Sequence, residues 1–505
     1  MTNQRSAFRI AGLLCVLVGV SACASIHNDA SPHAQMDAQR IRLAEDIHLA
    51  VDGWPDAKWW TRYKDPQLNE LIERALAGSP TMAMARLRIA QAKSQTELLN
   101  AGTGLQESAF AMLDRQRASS NGFLGPYGTN EPLLGLTGPW YTEGTVGLFG
   151  GLSPDIWGTH RSAVRAALGA ENAKVAELAE VELNLSTGVA QLYYSVQASH
   201  QLLGLLQQAH DALDYAVQAH QGKVAQGLEA KVPFHGARGQ LLAVESQIAA
   251  TQGQIKEARE ALRALLGAGP DDLPEIKPVP LPDAAVGLPE TLSYELLARR
   301  PDLQAMRWYV QGSLDQVAAA KAAFYPSLDI KALYALDSVH LDQLFKRSSQ
   351  QINLIPGLYL PIFDGGRLNA NLHNARSASN ALIEQYNQAV LDAVRDVAVS
   401  GSRLEALNAQ YALQTEKVEA ARFAQRAAEA MYSRGLGSRL ASTEARLPVI
   451  SEQTALLVVE GQRINQQIVL IRALGGGYRA EASPLAGTSG VAPGHAPSEA
   501  ATRSR

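Results

Sequence analysis

Cysteine is nearly absent from this 505-residue chain: only Cys15 and Cys23 occur, too few for an intramolecular disulfide framework. Aromatic residues make up 6% of the chain, which is thin for a compact enzyme core of this length. Charge of one sign is lacking too. The formal net charge of -4 shows no basic excess, so nucleic acid is not an expected partner. Beyond the extreme N-terminus no apolar run of about 18 residues occurs, so any crossing of a membrane must use β-strands. The signatures of catalysis are missing as well. There is no G-x-S-x-G elbow, no H-E-x-x-H and no Walker sequence. The eleven histidines are scattered rather than set at ligand spacing, although His220 and His235 both sit near one expected hairpin tip, at Gly227-Leu228. No catalytic, cofactor or metal residue is therefore expected, and no enzymatic activity. What the chain has in plenty is alanine, the best helix former.

The N-terminus accounts for both cysteines. Arg5 and Arg9 precede a short apolar stretch from Ile10 to Val20, and Val20-Ser21-Ala22-Cys23 follows. This reads as a secretory signal over residues 1–22, too short to remain as a membrane helix. The last four residues also resemble the bacterial lipobox. That resemblance implies cleavage before Cys23 and its acylation, palmitate included, and Ala24 at the next position favours sorting to the outer membrane. An ordinary signal peptide with a chance cysteine is the plainer alternative. Removing residues 1–22 takes away two arginines and no acid, moving the net charge from -4 to -6.

The chain also repeats itself. Gly158, Val189-Ala190, Gly227-Leu228, Ala237-Arg238 and Gly267 recur 208 residues later as Gly366, Val397-Ala398, Gly435-Leu436, Ala445-Arg446 and Gly475. Pro80 matches Pro301 at an offset of 221, so the second copy is 13 residues shorter between these blocks. The boundaries expected are a lipid-anchored segment over 23–53, a first repeat over 54–267, a Pro-rich equatorial linker over 268–289, a second repeat over 290–478 and a disordered tail over 479–505. Each copy carries a heptad stripe: Val175, Leu178, Leu185, Val189, Leu192, Val196 and Leu203 in the first, interrupted by Glu182, and Ile383, Tyr386, Val390, Ala393, Val397, Leu404 and Leu407 in the second. Helix is expected from about Gly158 to Gly227 without a proline, roughly 100 Å at 1.5 Å per residue. Shorter helices over 227–267 and 290–324, laid end to end, would match it.

The segments that differ between copies read as strands. Leu328, Ile330, Ala332, Tyr334 and Leu336 alternate with Asp329, Lys331 and Asp337, with Leu333 breaking the rule. Ile352, Leu354, Leu358, Leu360 and Ile362 alternate with Asn353, Gly357 and Tyr359, and weaker patterns lie near 107–117 and 141–152. Pro326 opens one strand, and Pro356 and Pro361 fall in another. Two hairpins, about 105–152 and 326–363, give four strands per chain. Four strands cannot close a barrel, and lipid cannot satisfy open edges, so two, three or four chains must share one.

Several motifs resemble the TolC-like outer-membrane efflux family, in its lipoprotein branch: Asp65-Pro66-Gln67-Leu68, Asp155-Ile156-Trp157-Gly158, Arg300-Pro301-Asp302-Leu303, Pro361 to Gly366 and Leu474 to Tyr478. Singly each is weak; their order and duplication over some 420 residues carry the resemblance. Val232 to Arg238 and Ser293 to Val310 resemble a drug-resistance member. The family implies an α+β membrane protein, in which a shared twelve-stranded barrel of a homotrimer in outer-membrane lipid continues into a periplasmic helical barrel. It implies a passive efflux channel for small toxic compounds or drugs, with a periplasmic adaptor and an inner-membrane exporter of aromatic-acid type as partners. It places adaptor contact at the hairpin tips, around Gly227, Leu228, Gly435 and Leu436, and a gate acid at Glu444. The first-copy counterpart of Glu444 is Gly236, and relatives usually carry aspartates there. Glu444 could instead pair with Arg439 or Arg446. Pro233 and Pro448 could bend the return helices or fix a kink in them. Two rival functions remain: a duct for polypeptide secretion, and a non-channel periplasmic coiled-coil lipoprotein.

Overall fold

The computed structural model describes residues 25–27, 29–36, 54–119, 121, 130–131, 136–282 and 299–479. Cys15, Cys23 and the tail beyond Arg479 lie outside the described residues, as does the expected helix start near 290.

The first copy runs α1 (Pro66–Gly78), α2 (Pro80–Ala101), β1 (Gln106–Arg117), a small ladder of β2 (Asn130–Glu131) with β3 (Leu136–Thr137), then β4 (Trp140–Leu152), α3 (Thr159–Ala225) and α4 (Lys231–Leu266). The second runs α5 (Pro301–Ala322), β5 (Ser327–Ser338), β6 (Gln350–Tyr359), α6 (Arg367–Ser433), α7 (Arg439–Glu444) and α8 (Arg446–Ala473). The duplication is visible in these bounds. The two long helices are both 67 residues, displaced by 208, while α2 and α5 are both 22 residues, displaced by 221. The shortening falls where β1 and β4 connect through 118–139 but β5 and β6 through only 339–349.

Short polar signals explain where the helices start. Asp65 accepts from the backbone N–H groups of Gln67 and Leu68 ahead of Pro66, and Ser79 does the same for Thr81 ahead of Pro80. Each strand-to-helix passage has an aspartate of its own. Asp155 accepts from the N–H groups of His160 and Arg161, and Asp364 from those of Gly366 and Leu368. Two of the motifs are thus caps on the long helices.

Two others form a joint. Arg300 pairs with Asp302 at 2.7 Å and donates to the carbonyl of Ala473, so the end of α8 butts against the start of α5. Gly475, Gly476 and Gly477 all have positive φ, and a Cβ on Gly475 would collide with the carbonyl oxygen of Arg299. In the first copy Gly267 meets Pro80, so α4 ends on α2. The expectation that 227–267 and 290–324 abut is corrected accordingly. Both α4 and α5 lie along α3, but the end-to-end joints run within each copy, because each closing glycine is placed against its own copy's Pro-started helix.

The largest core lies at mid-height. Trp59, Trp60, Tyr63, Leu68 and Ile72 pack there on Tyr193, Tyr194, Val196, Ile383, Val390, Val397 and Ile468. All the second-stripe residues named above are buried, as are Leu185, Val189 and Val196 of the first, while Leu178, Leu192 and Leu203 are half-buried and Val175, near the start of the stripe, is exposed. The described part of the Pro-rich linker, as far as Pro282, is extended against this core. Gln197 holds it by accepting from the N–H of Val279 and donating to the carbonyl of Lys277.

Candidate functional site at the sheet and the hairpin tips

The four long strands form one antiparallel sheet in the order β1-β4-β5-β6, and β1 and β6 have no neighbour on their outer edges among the described residues. The register puts Leu328, Ile330, Ala332, Tyr334 and Leu336 on the same face as Ile352, Leu354 and Leu358, with Val146, Leu148 and Leu152 beside them. That face is apolar and exposed: Ile352, Leu354 and Leu358 are each at least 70% accessible. The opposite face carries Asp114, Thr145, Asp329, Lys331, Asp337 and Asn353. Leu333 lies on this second face, between Phe149 and Asn353, which explains its break in the alternation. Pro356 sits inside the edge strand β6, whereas Pro361 falls after its end and not within it. Strands of 10 to 13 residues are long enough for a tilted crossing of a bilayer.

At the far end of the long helices the two tips share one turn. Gly227 and Gly435 both have φ of 72°, in the left-handed region that glycine adopts without strain. The N–H of Leu228 donates to the carbonyl of Lys223 at 2.8 Å, and that of Leu436 to Met431 at 2.9 Å. Both leucines project into solvent, 73% and 77% exposed. Sequence repetition thus marks a repeated geometry.

Glu444 closes α7 and does not pair with Arg439 or Arg446. Arg439 lies over the ring of Tyr215, and Arg446 approaches Glu429 at 3.9 Å. Glu444 instead reaches Nε2 of His220 on α3 at 3.5 Å, while Nδ1 of the same ring meets Glu229 at 2.6 Å. Lys223 lies 3.8 Å from Glu229. His220 is buried, so this histidine links the first hairpin to the return arm of the second. Sequence reasoning placed His220 near a tip but missed its partners, which lie 9 and 224 residues away. Among the described residues, no group of three or more His, Cys, Asp or Glu is arranged to hold a metal ion.

The two prolines differ. Pro233 sits in the first turn of α4, where its missing N–H costs nothing. Pro448 falls ten residues into the second return arm, which breaks at Ala445 into α7 and α8.

The description "Outer membrane efflux protein" matches residues 71–268 and 292–476, one stretch per copy. The chain belongs to the outer membrane efflux protein family. It is 62% identical over 472 residues to the multidrug resistance outer membrane protein MdtP of Escherichia coli K12, covering 93% of this chain and 97% of that protein. It is 37% identical over 480 residues to the putative multidrug resistance outer membrane protein MdtQ of Shigella flexneri, covering 94% and 100%. Among solved structures it is similar to the outer membrane protein VceC of Vibrio cholerae, with TM-score 0.73, 30% identity and coverage of 84% and 100%. The open state of the Neisseria gonorrhoeae MtrE outer membrane channel is similar at TM-score 0.74 and 25% identity, covering 90% and 98%. The open-edged sheet with an apolar face is therefore this chain's part of an outer-membrane channel wall. The hairpins are the helical conduit attached to it.

Proposed function

We propose that this outer-membrane efflux channel is the passive last segment of a tripartite drug exporter. Three copies close a twelve-stranded barrel, each adding β1, β4, β5 and β6. A periplasmic adaptor docks on the tips at Gly227-Leu228 and Gly435-Leu436, and an inner-membrane exporter supplies the energy. The observation that carries this reading is the continuity of an open, lipid-suited sheet with helices of about 100 Å. The drug-resistance names of its relatives support small toxic compounds as cargo. The chain has no catalytic role, and acylation of Cys23 anchors it in the outer membrane.

Glu444 is the gate acid in this reading, held through His220. Three copies would bring three such links to the narrow end of the conduit, where like charges and tethered hairpins resist free passage.

The test compares a deletion strain with its parent for accumulation of amphipathic cations and aromatic acids, alongside its secreted proteins. Raised accumulation of one compound class, reversed by the intact gene, is the expected result. Unchanged accumulation with a missing secreted polypeptide would replace drug efflux by polypeptide secretion.

A further inference from the structure

Residues 25–27 and 29–36 lie extended along α6, and three asparagines of that helix hold them by one repeated geometry. Asn369 accepts from the N–H of His27 at 2.8 Å and donates to the carbonyl of Ser25 at 3.1 Å. Asn380 does the same with His33 and Ser31, at 3.0 and 3.3 Å, and Asn387 with Met36 and Ala34, at 2.7 and 3.1 Å. Each side-chain amide therefore reads the N–H of one residue and the C=O of the residue two before it, as a neighbouring strand would. The skipped residues are Ile26, Pro32 and Gln35, so Pro32 stands where no N–H is required. Gln197 holds the Pro-rich linker in the same i, i−2 manner, which makes the amide clasp a device this fold uses twice.

The spacings match. From Asn369 to Asn387 the helix climbs roughly 27 Å at 1.5 Å per residue. Residues 27 to 36 cover roughly 28 to 30 Å at an extended rise of 3.1 to 3.3 Å. Two contacts depend on side-chain identity, and in the first His33 Nδ1 meets Glu384 of α6 at 2.7 Å. In the second, Asp29 pairs with the buried Arg376 of α6 at 3.1 Å and with Lys321 of α5 at 2.6 Å. These two hydrogen bonds, Arg376 foremost, hold its carboxyl down to about 2, so the pair stays charged at any pH the outer membrane meets. The first long helix keeps only one of these four residues: the positions 208 before Asn369, Arg376, Asn380 and Asn387 are Arg161, Leu168, Asn172 and Ala179.

We propose that the asparagine face of α6 is a recognition track for an extended peptide with one acidic residue, that its occupant is residues 25–36 of this chain, and that it sets the height of Cys23. Asn369 is the third residue of α6, directly after the β6-to-α6 passage. Ser25, two residues after Cys23 in the chain, is bonded to Asn369 and so lies beside the base of the sheet. The height claim rests on the acylation proposed above; the track does not.

Hydrogen exchange on the full-length protein in detergent tests it. The amides of His27, His33 and Met36 should exchange at least about tenfold more slowly than in the N369A/N380A/N387A variant. Asp29→Ala should also release the segment, whereas Ile26→Ala should leave it protected. Equal exchange in the wild type and the triple variant would overturn the track. A Cys23→Ser protein made behind a cleavable leader separates the two claims. Retained protection assigns the order to the track; loss of protection assigns it to the acyl chains and sinks the proposal. The mass of the N-terminal peptide reports acylation independently.

Discussion

The two hairpins share length and tip geometry, yet they are used differently. In the first, the lower third has a core of its own, in which Leu213, Val217 and Leu241 are buried together under Phe234, and Leu447 of the second hairpin packs against it. In the second, α6 has only Val418 buried beyond Leu407, and Leu413 and Phe423 stand 64% and 70% exposed within the protomer. The link between hairpins is equally one-sided. The counterparts of His220, Glu229 and Glu444 are Ala428, Gly437 and Gly236, so no member of the cluster is repeated. Duplication supplied the scaffold, and divergence made one hairpin a supported post and the other an arm free to meet neighbours.

The joints give the largest expected contrast. Both glycines have positive φ, but Gly475→Ala also places a methyl into the backbone of Arg299, whereas Gly267→Ala meets the edge of the Pro80 ring at 2.7 Å. We expect G475A to cost roughly 3 to 4 kcal/mol and G267A roughly 1 to 2 kcal/mol. Thermal unfolding in detergent checks the order. Equal losses would mean that the two joints are equivalent after all.

Next comes the post against the arm. Leu241→Ala removes a buried side chain and should destabilise by roughly 2 to 3 kcal/mol. Leu413→Ala removes an exposed one and should change a dissociated protomer by less than about 0.5 kcal/mol. Comparing denaturant midpoints of dissociated and assembled protein would sharpen this. A Leu413 effect seen only in the assembly would show that neighbouring chains cover the arm.

Much of this was legible in the sequence because it depends on period and punctuation. The 3-4 stripe, the alternation in β5 and the Gly-Leu tips each follow from one local rule, and the structure bears them out except at Val175, which is exposed. What stayed hidden was pairing across distance. Nothing within a few residues of Glu444 announces His220. Nor do Asn369, Asn380 and Asn387 announce a ligand, because spacings of 11 and 7 align them on a helix face without saying what lies there. The end-to-end joints were misjudged for a similar reason: length adds up for any pair of short helices, and only backbone contact decides between them.

The histidine link predicts a smaller effect. His220→Ala and Glu444→Gln should both raise the resting conductance of the channel in planar bilayers, with H220A the larger because it frees two carboxylates. Because Glu444 is half-exposed, the coupling in a double-mutant cycle should be only about 1 kcal/mol. Additive effects would remove Glu444 from the gate.

The smallest effect belongs to Pro448. Its ring excludes the carbonyl of Glu444 and offers it no N–H, so the return arm of the second hairpin divides there. The corresponding position of the first, Gln240, lies within unbroken helix. Pro448→Ala lets α7 run into α8, and we expect a gain of roughly 1 kcal/mol or less, since the removed strain is offset by a more flexible unfolded chain. If the break is where the arm bends, P448A should also make openings rarer while leaving single-channel conductance unchanged. A variant that is more stable yet opens as often would make the break a fixed kink, and would place the motion at the tips themselves.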